Sequence, residues 1–508
     1  MSRVRLRYAG LVNYVAIIFS LFTGLAFSIM VTRKLSMEEY GLLSIISSLI
    51  AILCYPCSLY GYWVTRFTAR EVKEAVKTGL FLSMLFTLLL TPVYLIAAAI
   101  YTNVLGSNVA MCFLMGLPYF YSIYFWYYWR SVIRGLIPEA WGYGLVVGEV
   151  VKLILGFLLI VVLRLGLPGV IIALVCSFVS MNLVALISIR KFGVLSKVYK
   201  VDYHLIKRWL KNFWIPSINL LSSTLLSSEQ IVISIITKST APSAFLQVGR
   251  VATLPITYGT TLASGLYARL LAKVKVEDVR EALKMVFLVN NFVFLSDVVL
   301  AASILSLFNP AYVEGALVVV LLAIVSYIDV IANVFNIALI GSERVDFEST
   351  IDFEKLSRSY LVKSPLVILI RNASAISISV YLLSIKTLGV EPSSQALTMA
   401  YSWLIPSIPM LLALIKMVRD RFNKVIPWHE LIVSVIASVP TITYYLVLEV
   451  YKLRISIFRR DFFILLVNVC VAFMIYSTTL FLLSNWFRKL CLSGFDHVRR
   501  ILGLSPRH

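Results

Sequence analysis

Apolar residues run along this chain in blocks of roughly 20, separated by short polar gaps, from Leu11 to Phe487. Twenty residues rising 1.5 Å each span a hydrocarbon core of about 30 Å, and in lipid an α-helix satisfies its backbone within its own segment. The pattern therefore predicts an all-α, polytopic membrane protein of about 14 transmembrane helices. They fall near residues 11–31, 42–62, 80–101, 109–129, 143–163, 170–189, 213–236, 245–268, 285–308, 316–340, 365–385, 396–415, 430–450 and 462–487. The longest gap, about 24 residues, is too short to fold alone, which excludes a soluble enzyme on a membrane anchor. The opening stretch, Met1 to Val31, is basic and then apolar without a small-residue cleavage pattern, so it is expected as a retained first helix.

Composition agrees: 60% of the 508 residues are hydrophobic and 14% charged, with a mean hydropathy of +0.91. Forty-six Lys and Arg against 25 Asp and Glu give +21, and their placement carries the information. With the N-terminus inside, 34 of the 46 lie on the cytoplasmic side, nine outside and three within helices. By the positive-inside rule both termini are cytoplasmic, in a multi-pass protein of the cell membrane. Lys452, Arg454, Arg459 and Arg460 run against this bias in the last outer loop, so a twelve-helix core with an adaptable terminal hairpin is an open variant. The connector from Arg190 to Lys211 holds seven basic residues and turns amphipathic around Tyr203 to Leu210. It is expected to lie on the anionic inner surface, so no nucleic-acid partner is read from it.

No G-x-x-x-x-G-K-[ST] occurs, so no nucleotide site is expected and ATP cannot power transport on this polypeptide. H-E-x-x-H and G-x-S-x-G are also missing, and His204, His429, His497 and His508 are scattered over the cytoplasmic side. No metal, cofactor or enzyme activity is expected. A membrane glycosyltransferase is a third reading, resting on Glu38 and Glu39 in an early outer loop, but every outer loop is about a dozen residues or fewer. The six cysteines fall mostly within spans as packing residues, with Cys54-Tyr-Pro-Cys57 the one pair at redox or metal spacing. Asn372-Ala-Ser374 has the form of a glycosylation sequon but sits inside the eleventh span.

An internal repeat organises the spans. The first runs from Asn13-Tyr14 to Thr32-Arg33 and on to Tyr40, and the seventh from Asn212-Phe213 to Thr237-Lys238 and on to Phe245. Six spans separate the copies, an even number, which predicts parallel repeats about an axis along the membrane normal with a substrate site between them. The domains expected are residues 1–211 as an N-terminal lobe with the basic connector, 212–428 as a C-terminal lobe, and 429–508 as a terminal helix pair and tail.

The segment VTRKLSMEEYGLLSIISSLI, Val31 to Ile50, resembles the polysaccharide and oligosaccharide-lipid flippases (Wzx-like) of the multidrug/oligosaccharidyl-lipid/polysaccharide (MOP) exporter superfamily. SAFLQVGRVATLP, Ser243 to Pro255, resembles the start of that family's second lobe. The resemblance implies two six-helix lobes around a central cavity, alternating access, and transfer of a polyprenyl-pyrophosphate-linked oligosaccharide from the inner to the outer leaflet. Its implied partners are that lipid-linked glycan, membrane lipids and glycan-assembly proteins. An ion-coupled multidrug or small-molecule exporter of the same superfamily is the alternative, although the first span lacks the acidic residue that many multidrug members carry.

A charge at the bilayer centre costs about 2.5 to 3.5 kcal/mol, so intramembrane charges are expected to face partners or a wet cavity. Seven occur: Glu149, Lys152, Glu229, Arg250, Asp297, Asp329 and Arg371. Glu149 and Lys152 are three apart and share a helical face, which favours a local pair. Lys152 and Arg371 sit in spans that the repeat makes equivalent, and with Arg250 they are the candidate cations for a pyrophosphate head group. Glu229, Asp297 and Asp329 are the candidate ion or proton couplers. Glu229 is placed to exchange Arg250 for a cation, while Asp297 and Asp329 lie deeper, where burial disfavours the charged form. The aromatic run Tyr119 to Trp129 suits either sugar stacking or an interfacial belt.

Overall fold

The computed structural model describes residues 6–70, 72, 74–191, 200–211, 213–263, 266–272, 274–343, 357–385, 391–455 and 458–492. Among them there is no strand, as expected of a chain whose backbone must be satisfied inside lipid. In chain order the helices begin with α1 (Leu6–Lys34), α2 (Met37–Leu53), α3 (Tyr55–Ala69), α4 (Glu74–Leu105), α5 (Ala110–Leu136), α6 (Pro138–Gly156) and α7 (Gly166–Lys191). Next come α8 (Tyr203–Lys211), α9 (Trp214–Ser227), α10 (Glu229–Thr237), α11 (Ala241–Ala252), α12 (Leu254–Thr257) and α13 (Leu266–Ala272). The rest are α14 (Val276–Met285), α15 (Asn291–Val299), α16 (Ala301–Phe308), α17 (Ala316–Gly341), α18 (Tyr360–Ser384), α19 (Pro392–Phe422), α20 (Trp428–Val447) and α21 (Phe458–Leu483).

Among the described residues eleven helical stretches are long and apolar enough to cross a membrane, and the pair α2–α3, bent by 48°, brings the number to twelve if it is one span. The protein is polytopic, and fourteen is an approximate count. Two expected spans account for the difference. α5 has 27 residues, about 40 Å of helix, but its Tyr and Trp run lowers its mean hydropathy. The eighth span is broken into α11, α12, a 3₁₀ turn over Tyr258–Ala263 and α13, with Pro255 at the start of α12, where a missing N–H is tolerated. Pro56 plays the same part at the α2–α3 bend.

The chain divides into two compact groups, Met1–Gln247 with Asn372–Met399, and Val248–Arg371 with Ala400–His508. In the first, α1 packs on α6, α6 on α7, and α5 against both α3 and α7. α2 opens with a capping box, Ser36 and Glu39 each satisfying the other's backbone N–H. One turn later the missing side chain of Gly41 matters, because a Cβ there would stand 1.9 Å from the Thr240 carbonyl oxygen. Thr240 Oγ1 in turn donates to the Glu38 carbonyl at 3.0 Å, so the turn after α1 and the turn after α10 pack directly on each other. Of the basic connector, residues 192–199 lie outside the described residues. Its end, α8, is capped by Asp202 accepting from the His204 N–H at 2.8 Å, with Leu205 and Trp209 buried.

In the second group α17 packs against α12, α13 and α15, and α20 against α15 and α21. Leu283, Phe335, Leu414 and Val418 are among its buried core. A π-helical turn over Val286–Asn290 joins α14 to α15.

Candidate functional site

In the first group, Glu149 on α6 is buried. Its Oε1 and Oε2 each lie 2.7 Å from Lys152 Nζ, and α1 supplies two more donors, Ser20 Oγ at 3.1 Å and Thr23 Oγ1 at 2.7 Å. The ammonium also lies 5.4 Å from the Phe27 ring centroid. The i,i+3 pair read from the sequence is present. α6 starts at Pro138, so Lys152 is 14 residues in, about 21 Å along the axis. Ser20 and Thr23 carried no signal in the sequence, since two hydroxyls on an apolar helix look like ordinary packing until a carboxylate faces them.

The second group contains a cluster built on α17, α18 and α19. Arg371 is 4% exposed, and its Nη2 donates to both carboxylate oxygens of Asp329 at 2.9 and 3.1 Å. Its Nε donates to Ser407 Oγ at 2.9 Å, and Ser407 Oγ donates to the Trp403 carbonyl at 2.7 Å. The Trp403 indole, fully buried, has the Arg371 guanidinium carbon 4.9 Å from its centroid and that of Arg250 at 5.4 Å. Two guanidiniums thus share one aromatic ring and stand no more than about 10 Å apart. Because α18 begins at Tyr360, five residues before the span expected from hydropathy, Arg371 is some 17 Å along the helix. It is a buried, paired group.

Glu229 belongs to the first group, buried at the opening of α10, where the seventh span breaks at Ser228. Asp297 belongs to the second, on α15, with Oδ2 buried and without a hydrogen-bond partner among the described residues. Beside it Ser296 Oγ hydrogen-bonds Tyr445 OH of α20 at 3.1 Å. On α5, Tyr119, Phe120, Tyr124, Trp126, Tyr128 and Trp129 are buried. They pack into the neighbouring helices, as in the Tyr94–Phe120 stack with α4, the Tyr60–Tyr124 hydroxyl contact with α3 and the Tyr119–Phe178 contact with α7. Helix packing, more than a sugar platform or a belt, accounts for these six.

No protein-family profile and no curated sequence matches the chain. Solved structures do. The lipid II flippase MurJ in an inward closed conformation superposes with a TM-score of 0.67 at 13% identity, covering 95% of this chain and 100% of that one. An inward-facing multidrug resistance MATE family transporter of the MOP superfamily gives 0.58 at 14% identity, over 80% of this chain and 96% of that one. A MOP superfamily transporter from Pyrococcus furiosus, reported for the reverse polarity of its binding pocket, gives 0.54 at 14% identity, over 82% and 94%. The chain shares its fold with these proteins.

Proposed function

We propose that the protein is a flippase that moves a polyprenyl-pyrophosphate-linked oligosaccharide from the inner to the outer leaflet by alternating access. The observation that carries this reading is the Arg250–Trp403–Arg371 cluster. Guanidinium forks suit phosphate oxygens, and two of them on one aromatic ring favour an anionic head group over a cationic drug. A fold likeness that takes in the whole of a lipid II flippase supports it. So do the MATE relatives of the same fold, solved both inward-facing and outward-facing. In this reading residues 1–211 and 212–428 are the moving lobes, 429–508 the terminal pair, and Lys152, Arg250 and Arg371 the head-group cations.

Deletion of the protein is expected to remove surface glycan while lipid-linked precursor accumulates on the inner leaflet. Export fully retained in the Lys152→Ala, Arg371→Ala double variant overturns the cation site. A second reading, ion-coupled export of a small molecule, is favoured by the match over 96% of a MATE transporter. Altered drug sensitivity on deletion with intact glycan would select it.

A further inference from the structure

The Arg371 side chain is held asymmetrically. Ser407 takes Nε, and the Trp403 ring centroid lies 4.9 Å from the guanidinium carbon, so two contacts from α19 help to position it. What reaches Asp329 is Nη2, one nitrogen serving two carboxylate oxygens. That is poorer than the two-nitrogen fork by which Arg prefers to grip a carboxylate or phosphate. Exposure is just as uneven: the Arg371 side chain is 4% exposed and that of Asp329 38%. Arg371 is the sole hydrogen-bonding partner of Asp329 among the described residues. An exposed carboxylate in the middle of an apolar helix such as α17 is too costly to face lipid, so it borders a polar space.

We infer that Asp329 is an internal stand-in for the substrate's phosphate. It occupies the Arg371 guanidinium between transport cycles, is displaced when a lipid pyrophosphate binds, and returns to expel it. This rests on the flippase reading, and it adds a residue that sets affinity and release without itself binding the head group. The exchange keeps the buried cation paired at every stage. A multiply charged phosphate outcompetes one carboxylate, while the displaced Asp329 charge remains nearby and limits how tightly the anion is held.

The test is binding of farnesyl pyrophosphate to the purified full-length protein in nanodiscs, by calorimetry, with export measured in parallel. Asp329→Asn removes the competing charge. It is expected to bind at least about tenfold tighter, the scale of 1.4 kcal/mol of lost repulsion, and to lower KM and kcat for export together. Arg371→Ala is expected to lose binding about tenfold or more. Asp329→Ser, which leaves Arg371 a hydroxyl acceptor, takes the place of the Asn variant if that one does not fold. If neutral variants at 329 bind no tighter than wild type while Arg371→Ala loses binding, the stand-in role is overturned and the cation site stands. If Arg371→Ala binds like wild type, the cation site itself is wrong.

Discussion

Removing one partner of a buried ion pair strands a charge, whereas removing both does not, and Glu149 with Lys152 is suited to show the difference. Lys152→Met leaves the Glu149 carboxylate with only the two hydroxyls of α1 and is expected to cost about 3 kcal/mol or more in stability. Glu149→Gln combined with Lys152→Met is expected to fall within about 1 kcal/mol of wild type. Thermal melts of the purified variants, arranged as a double-mutant cycle, read the coupling directly. Asp297 predicts the opposite sign for a single change. Its Oδ2 is buried without a hydrogen-bond partner among the described residues, so Asp297→Leu, which removes the polar atoms, is expected to raise the melting point, by an amount reflecting about 1–3 kcal/mol, and a lowered one would show that the carboxyl is compensated. These two sites also mark what the sequence could and could not reveal. Glu149 and Lys152 are neighbours by helical spacing alone, so their pairing was legible. Arg371 and Asp329 are 42 positions apart on different helices, and Trp403 looked like any apolar residue, so their meeting depends on packing that no local pattern encodes.

At the scale of elements, hydropathy located the apolar helices because span length is dictated by the bilayer, but it is blind to breaks. The bend at Cys54 and the fragmentation after Ala252 arise where Pro56 and Pro255 override a continuous apolar run, and the seventh span is interrupted at Ser228 as well. α5 was placed correctly yet is too rich in Tyr and Trp for a hydropathy threshold. The turn at Gly41 gives an element-level prediction. With the Thr240 carbonyl 1.9 Å from where a Cβ would sit, backbone must move to admit any side chain, and the Thr240–Glu38 hydrogen bond lies in the same contact. Gly41→Ala is therefore expected to cost about 1–3 kcal/mol. Thr240→Val, which removes only the hydroxyl bond, is expected to cost about 1 kcal/mol. Melting curves for the two variants decide whether close approach or hydrogen bonding holds the turns together. A Gly41→Ala protein as stable as wild type would mean that the turns separate freely.

For the whole molecule, the distribution of Lys and Arg predicts a topology, and reporter fusions at Ser107, Ser239 and the C-terminus test it. The first two are expected outside and the third inside, and an outside C-terminus would remove the final hairpin from the expected map. Topology also constrains energy. In the flippase reading, a chain without a nucleotide motif draws on an ion gradient or on consumption of the glycan at the outer face to export in one direction. All four histidines lie outside the expected spans, so intramembrane carboxylates are the coupling groups we propose. Glu229 stands at a helix break, in the span that the internal repeat is expected to make the opening helix of the second lobe, and a break is where a change of conformation is most easily accommodated. Proteoliposome flux under an imposed sodium or proton gradient is therefore expected to accelerate several-fold in the wild type and to lose that acceleration in Glu229→Gln, with basal exchange preserved. If wild-type flux ignores both gradients, Glu229 is a structural group, and direction comes from removal of the product outside.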